Sequence, residues 1–217
     1  CDVLTDWEIR RQIVSIGKKL YDRNLVAATD GNISFKMKSD KIIITPGGHC
    51  LGTLDFNHMV HVDDKGNHTS CELEPSSELP MHLEIYKQRP DVNAIVHAHP
   101  PITTAFSLVG SDLSEPVLPE VILFFGEIPT APYATPSTIE SAKSISDLIK
   151  QHDVIVLDHH GAVTVGDSLK DAYCKMEKLE QSANILYAAR QLGTIQPLSQ
   201  ENLTKLLSLK AKYNYKS

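Results

Sequence analysis

No stretch of this chain reaches the roughly 18 consecutive apolar residues that a bilayer-spanning helix requires, so a membrane protein is not expected. Positive charge is not in excess either: 21 Lys and Arg stand against 27 Asp and Glu, for a formal net charge of -6. Nucleic acids and anionic membrane surfaces want a basic face, so neither is expected as a partner. A small phosphorylated molecule stays open, because local donors can hold it. Cysteine is sparse, and Cys1, Cys50, Cys71 and Cys174 form no CxxC pair. They read as reduced thiols without the spacing of a thiolate metal site, which points to the cytoplasm. The first residues lack the charged-then-apolar layout of a secretion signal. A GxGxxG between strand and helix and a Walker GxxxxGK[ST] are both missing, which leaves a nucleotide-binding fold unsupported.

What is present suffices for a sizeable core. Apolar residues make up 41% of the 217, and no linker, repeat or low-complexity tract divides them, so one α/β domain over 1–217 is expected. Trp7, Ile9, Ile13, Ile16, Leu20 and Tyr21 recur at helical spacing behind a Thr5-Asp6 cap. Segments 33–37 and 41–45 read as hairpin strands, 58–62 as a further strand, and 77–88 and 103–109 as helices. Segment 117–130, broken by Pro119, Gly126 and Pro129, reads as a loop with one short strand. A helix over 137–150 leads to strands at 154–158 and 162–165, and helices over 168–191 and 198–213 close the chain. A mixed sheet between helices follows.

The chemistry gathers around histidine. The apolar, β-branched run 93–98 reads as a strand, and alternation puts His97 and His99 on one side, close enough to share an ion. A second apolar run ends in Asp158-His159-His160-Gly161, offering a third imidazole from either His159 or His160. Glu78 opens a helix behind Ser76 and Ser77. That placement suits helix capping, and it equally suits a general base beside a cation. Three histidines, an open coordination position and a nearby carboxylate describe a catalytic metal site. The turns Thr29-Asp30-Gly31-Asn32 and Thr45-Pro46-Gly47-Gly48, with the amides at Ser76 and Ser77, could cradle a phosphate. His49, His58, His61, His68, His82 and His152 fall in turns or on amphipathic faces and read as structural or surface residues.

Taken in order, these pieces resemble the class II aldolase/adducin family, in particular its fuculose-phosphate aldolase branch. The matching pieces are Thr29-Asp30-Gly31-Asn32-Ile33-Ser34, Ile44-Thr45-Pro46-Gly47-Gly48 and Pro75-Ser76-Ser77-Glu78-Leu79-Pro80-Met81-His82. Val96-His97-Ala98-His99-Pro100, Ala131-Pro132-Tyr133-Ala134-Thr135 and His160-Gly161-Ala162 complete the set. The resemblance spans about residues 5–212. It implies a three-layer αβα fold around a mixed, largely antiparallel sheet. It also implies one zinc or similar divalent transition metal per subunit on His97, His99 and His160, with Glu78 as acid/base. Thr29, Asn32, Gly48, Ser76 and Ser77 match the phosphate cradle, and a homotetramer with active sites between subunits is expected.

Two positions depart from the usual pattern. Asp30 stands where some members have serine, and a carboxylate beside a phosphate is costly unless it turns away or is paired. Glu120 stands where fuculose-phosphate aldolases place a tyrosine that serves a neighbouring subunit's site; similar epimerases have aspartate there, and similar dehydratases glutamate. The resemblance therefore implies reversible cleavage of a small phosphorylated ketose to dihydroxyacetone phosphate and a short aldehyde, with Glu78 and Glu120 handling protons. An epimerase or dehydratase on the same ion is the rival, and a non-enzymatic adducin-like module is a more distant one.

Overall fold

The computed structural model describes residues 4–70, 73–113, 115 and 117–213. Helix α1 (Asp6–Asp22) starts where the sequence places it, closed by a capping box between Thr5 and Glu8. It buries Ile9, Ile13, Ile16 and Leu20 at helical spacing. Strands β1 (Asn32–Lys36) and β2 (Ile42–Ile44) form the expected antiparallel hairpin. Phe56–His58 is a 3₁₀ turn capped by the Asp55 carboxylate, so β3 (Val60–Val62) begins later than the strand expected from residue 58. A short β4 (His68–Ser70), not anticipated, pairs with it.

Helix α2 (Leu79–Gln88) is followed by β5 (Ala94–Ala98) and α3 (Pro101–Leu108). Within the expected loop, Pro119 opens a helix instead of breaking structure, giving α4 (Pro119–Phe124). The short strand expected there is β6 (Thr130–Ala131). The helix expected over 137–150 is split into α5 (Ile139–Ile145), capped by the Thr138 hydroxyl, and a 3₁₀ turn at Leu148–Lys150. β7 (Val154–Leu157), β8 (Gly161–Gly166), α6 (Leu169–Leu192) and α7 (Gln200–Tyr213) complete the described chain.

The strands make one sheet in the order β4-β3-β2-β1-β5-β8-β7-β6, antiparallel throughout except for the parallel β6–β7 pair. The mixed, largely antiparallel α/β fold is therefore as expected. Strand alternation sorts the core into two layers. Ile33, Phe35, Val96, Val154 and Ala162 pack with α1, α3 and α6. Ile44, Ile95, Ile155 and Val163 pack with α2 and α5 on the other face. Cys50 and Cys174 are free thiols, while Cys1 and Cys71 lie outside the described residues. Among the described residues, no helix is long and apolar enough to cross a membrane.

The β7–β8 hairpin must pass close to the end of β5. A Cβ on Gly161 would stand 2.4 Å from the Ala98 carbonyl oxygen and 2.9 Å from His99 Cδ2. Gly161→Ala is therefore expected to destabilise the fold by about 1–3 kcal/mol through overpacking against backbone. A thermal melt checks this, and an unchanged Tm would mean that the hairpin is free to shift.

Candidate metal centre

Alternation along β5 buries His97 completely on the α2 side of the sheet, facing Asn32 across the β1–β5 ladder. His99 follows the strand end and returns to the same side, its backbone N–H held by the Leu25 carbonyl at 2.9 Å. His160 sits in the β7–β8 turn, with its N–H on the Leu157 carbonyl at 3.0 Å. One nitrogen from each of the three rings lies within 4.8 Å of the others, so the set could hold a metal ion. His159 faces elsewhere: its backbone is left-handed (φ 58°), and Nδ1 meets the Asp158 carboxylate at 2.7 Å. Geometry therefore gathers His160, and not its neighbour, with the β5 pair.

The ring tautomers favour ligation. His97 donates Nδ1–H to the Ala162 carbonyl at 2.9 Å, which turns the lone pair of Nε2 towards the centre. His97 Nε2 and His99 Nε2 lie 3.1 Å apart, and two lone pairs at that distance need a proton or a cation between them.

Glu78 occupies the N-cap position of α2 but makes no side-chain cap bond. Ser76 does not cap it either: its hydroxyl accepts the Glu78 N–H at 3.3 Å, a local turn just before the helix. The Glu78 carboxylate instead closes the open side of the histidine set. Oε2 lies 3.0 Å from His97 Nε2 and accepts Asn32 Nδ2–H at 2.8 Å, while Oε1 is 3.5 Å from His160 Nε2. Oε1 is buried and has no hydrogen-bond partner among the described residues. An orphaned carboxylate oxygen beside three converging imidazoles fits a divalent transition ion well.

Burial by itself would raise the Glu78 pKa. The charge and hydrogen bond of His97, the charge of His160 and the Asn32 amide outweigh it and hold the carboxyl well below its usual range. Burial opposes a charge on His97, but Glu78 prevails and raises its pKa. Burial and the neighbouring His97 lower His160 to about 4 and also lower His99.

The candidate phosphate loops come together beside this centre. Pro46 and Pro75 form a β-bridge, and the Ser76 N–H reaches the Thr45 carbonyl at 3.1 Å. Gly48, at φ +70° with open space where a Cβ would be, is exposed, and so is Ser77. Ser77 shares a 2.8 Å hydrogen bond with Ser137. Gly31, at φ +79°, packs so tightly that a Cβ would lie 2.6 Å from Val26 Cγ1 and 3.0 Å from the His97 carbonyl. Thr29 is exposed on the turn leading into it. Other candidate side chains are bonded within the frame as well: the Thr45 hydroxyl accepts Ile33 N–H at 3.1 Å, and the Asn32 amide is spent on Glu78 and His82. Asp30 is exposed and leans towards the histidine set, with Oδ2 3.6 Å from His99 Nδ1. Glu120 is exposed on the first turn of α4 and has no hydrogen bond or ion pair among the described residues.

Sequence reasoning set His82 aside, yet it is fully buried and bonded to both Asn32 and Ser34. The signal was its spacing: Glu78, His82 and Tyr86 follow one another at intervals of four along one helical stripe.

A family model described as the class II aldolase and adducin N-terminal domain matches residues 11–187. An L-fuculose phosphate aldolase of Methanococcus vannielii is 39% identical over 175 residues, covering 81% of this chain and 93% of its own. A 3-oxo-tetronate 4-phosphate decarboxylase of Escherichia coli K12 is 31% identical over 183 residues, covering 82% and 86% respectively. A solved structure from Klebsiella pneumoniae, YgbL, described as a putative aldolase/epimerase/decarboxylase, superposes with a TM-score of 0.86 at 29% identity, covering 94% and 99%.

Because His97 is the imidazole whose pKa is raised, a bound ion must displace its proton. Apparent zinc affinity is expected to keep rising with pH above the ordinary imidazole range, by up to about tenfold per unit while that proton remains to be lost. Competition against a chromophoric chelator measures this, and a flat profile would mean that His97 carries no such proton.

Proposed function

The chain belongs to the class II aldolase and adducin N-terminal domain family, and on that premise we propose that it is a metal-dependent aldolase. It reversibly cleaves a small 1-phosphorylated ketose, of the L-fuculose 1-phosphate kind, to dihydroxyacetone phosphate and a short aldehyde. The observation that carries this reading is the convergence of His97, His99 and His160 with the buried Glu78 carboxylate on their open side. The three imidazoles would hold zinc or another divalent transition ion, one per subunit. When bound, the ion supplies Lewis-acid stabilisation of the enediolate charge.

Glu78 does the proton work on the donor carbon. In the condensation direction its anionic carboxylate removes a proton from the hydroxymethyl carbon of dihydroxyacetone phosphate, and the C–H electron pair passes into the enediolate. That carbon then attacks the aldehyde carbon, and the carbonyl electron pair moves to the aldehyde oxygen. Protonation there completes the new hydroxyl. Glu120, exposed and without a hydrogen bond or ion pair among the described residues, is assigned to supply that proton to a neighbouring subunit's site in a homotetramer; solvent then takes the proton held by Glu78 and returns one to Glu120. The phosphate is assigned to the loops carrying Thr29, Gly31, Asn32, Thr45, Gly48, Ser76 and Ser77. Exposed Thr29, Gly48 and Ser77 offer donors there, whereas Asn32 and Thr45 hold the frame with their side chains.

A second reading draws on the name of a relative, since the exposed position of Glu120 suits either reading. Decarboxylation of a phosphorylated 3-oxo acid leaves the same kind of enediolate, but carbon dioxide departs without any proton transfer to a leaving oxygen. The 31% identical relative bears the name of such a decarboxylase.

Product analysis separates the two. Metal-loaded protein is expected to release dihydroxyacetone phosphate and aldehyde in equal amounts from a 1-phosphorylated ketose, to stop on chelation, and to restart when a divalent ion is added. Carbon dioxide release from a 3-oxo acid phosphate without ketose cleavage would establish the second reading. An epimerised or dehydrated product with its carbon skeleton intact would overturn both. Glu78→Gln is expected to keep the ion and lower kcat by about 10²- to 10⁴-fold, as loss of a general base does. Undiminished turnover in that variant would remove Glu78 from the mechanism.

A further inference from the structure

Behind Glu78, away from the histidine centre, runs a line of buried polar groups that the chemistry above leaves unexplained. Two stripes build it. Asn32 and Ser34 are alternate residues of β1, facing α2, and Glu78, His82 and Tyr86 recur every four residues along α2. Asn32 Nδ2 reaches Glu78 Oε2 at 2.8 Å, and Asn32 Oδ1 meets His82 Nε2 at 2.5 Å. His82 Nδ1 meets the Ser34 hydroxyl at 2.7 Å, and that hydroxyl meets the Tyr86 hydroxyl at 2.7 Å.

With the Asn32 N–H towards the Glu78 anion, the donors along this line follow in order. Oδ1 of Asn32 only accepts, so Nε2 of His82 must carry the proton. A neutral ring then has an acceptor at Nδ1, which takes the single Ser34 proton. Ser34 is left as an acceptor for the Tyr86 hydroxyl. The Asn93 carbonyl, 3.2 Å from Tyr86, already accepts Lys36 N–H at 2.7 Å and makes the longer alternative. Burial, reinforced by nearby His97, lowers the His82 pKa to about 3 and keeps the ring neutral.

We infer that His82 is a positioning residue for Glu78: its Nε2–H fixes the Asn32 amide so that N–H, and not oxygen, faces the carboxylate. With the amide reversed, a carbonyl oxygen would face the Glu78 anion. Held as it is, Oε2 is anchored, and Oε1, with no hydrogen bond among the described residues, remains the oxygen available for proton transfer. This inference rests on Glu78 being the proton-transfer group proposed above.

Two measurements test it. In the metal-loaded protein, His82→Leu is expected to lower kcat by about ten- to a hundredfold with metal content unchanged, the range typical of groups that orient a site from behind. KM for the sugar phosphate should stay within about twofold, since ground-state binding is untouched. His82→Gln, which retains an N–H donor, should recover most of the loss. A folded, metal-loaded Leu variant with kcat within about twofold of the parent, or a Gln variant as slow as Leu, would overturn the inference.

The second measurement needs neither turnover nor a folded Leu variant. Long-range ¹H–¹⁵N spectra of histidine-labelled parent protein should show one ring that stays the neutral Nε2–H tautomer from about pH 5.5 to 8.5. Its Nδ1 resonance should shift in Ser34→Ala. An Nδ1–H tautomer, or a ring that titrates in that window, would sink the relay. If the parent cleaves no substrate, the aldolase reading falls while the spectra still decide the relay.

Discussion

A carboxylate in an apolar layer must be compensated, and the layer between the sheet and α2 is arranged around that demand at Glu78. Breaking a buried ion pair by removing one partner costs about 3–5 kcal/mol, because the charge left behind has no water to turn to. Here compensation comes from two sides. His97 and His160 face the carboxylate from the sheet, and the Asn32 amide donates to it from β1. One oxygen is anchored while the other stays free of hydrogen bonds, so the group is charged, placed and incompletely satisfied at once. That combination is expected where a group exchanges ligands or protons, and it is hard to justify in a merely structural pair.

The sheet supplies the placement. Asn32 and His97 are cross-strand partners, and alternation sends both side chains to the α2 face, while Ile33 and Val96 beside them fill the opposite layer. A slip of one residue in this register would exchange the polar set with the apolar set and dismantle the core and the site together. The site is therefore tied to the same hydrophobic pattern that stabilises the fold. The second anchor is the contact between the Gly161 turn and the end of β5, which brings His160 within reach of His99.

Much of this was legible in the sequence. The His97/His99 pair showed because strand alternation is periodic, and Glu78 showed because it opens a helix next to turn-forming residues. The choice of His160 over His159 came only from the family resemblance and not from the local pattern, since physically it hangs on a left-handed backbone at His159 and on the pull of Asp158. Helix α4 was hidden because Pro119 reads as a breaker when surrounded by other breakers, yet at the first helical position its missing N–H costs nothing. β4 was too short to show a pattern, and it exists because β3 offers it an edge. His82 was obscured by distance: its partner Asn32 lies 50 positions away, and a histidine on an amphipathic helix looks like a surface residue until the strand facing it is known.

The arrangement divides the chemistry unevenly, and the division bears on why relatives with different reaction names share the scaffold. On the proposed reading, everything that generates and steadies a carbanion lies within one chain: the three imidazoles, Glu78 and the amide behind it. Nothing in the same centre handles the departing fragment, and the carboxylate assigned to it, Glu120, is on an exposed helix turn. A carbanion-forming half of this kind is indifferent to what leaves. An aldehyde needs a proton partner for its oxygen and carbon dioxide does not, so changing the outer residue changes the reaction while the inner half stays fixed. The buried relay is then under the tighter constraint in this chain, because on either proposed reading it is Glu78 that handles the proton on the carbanion carbon.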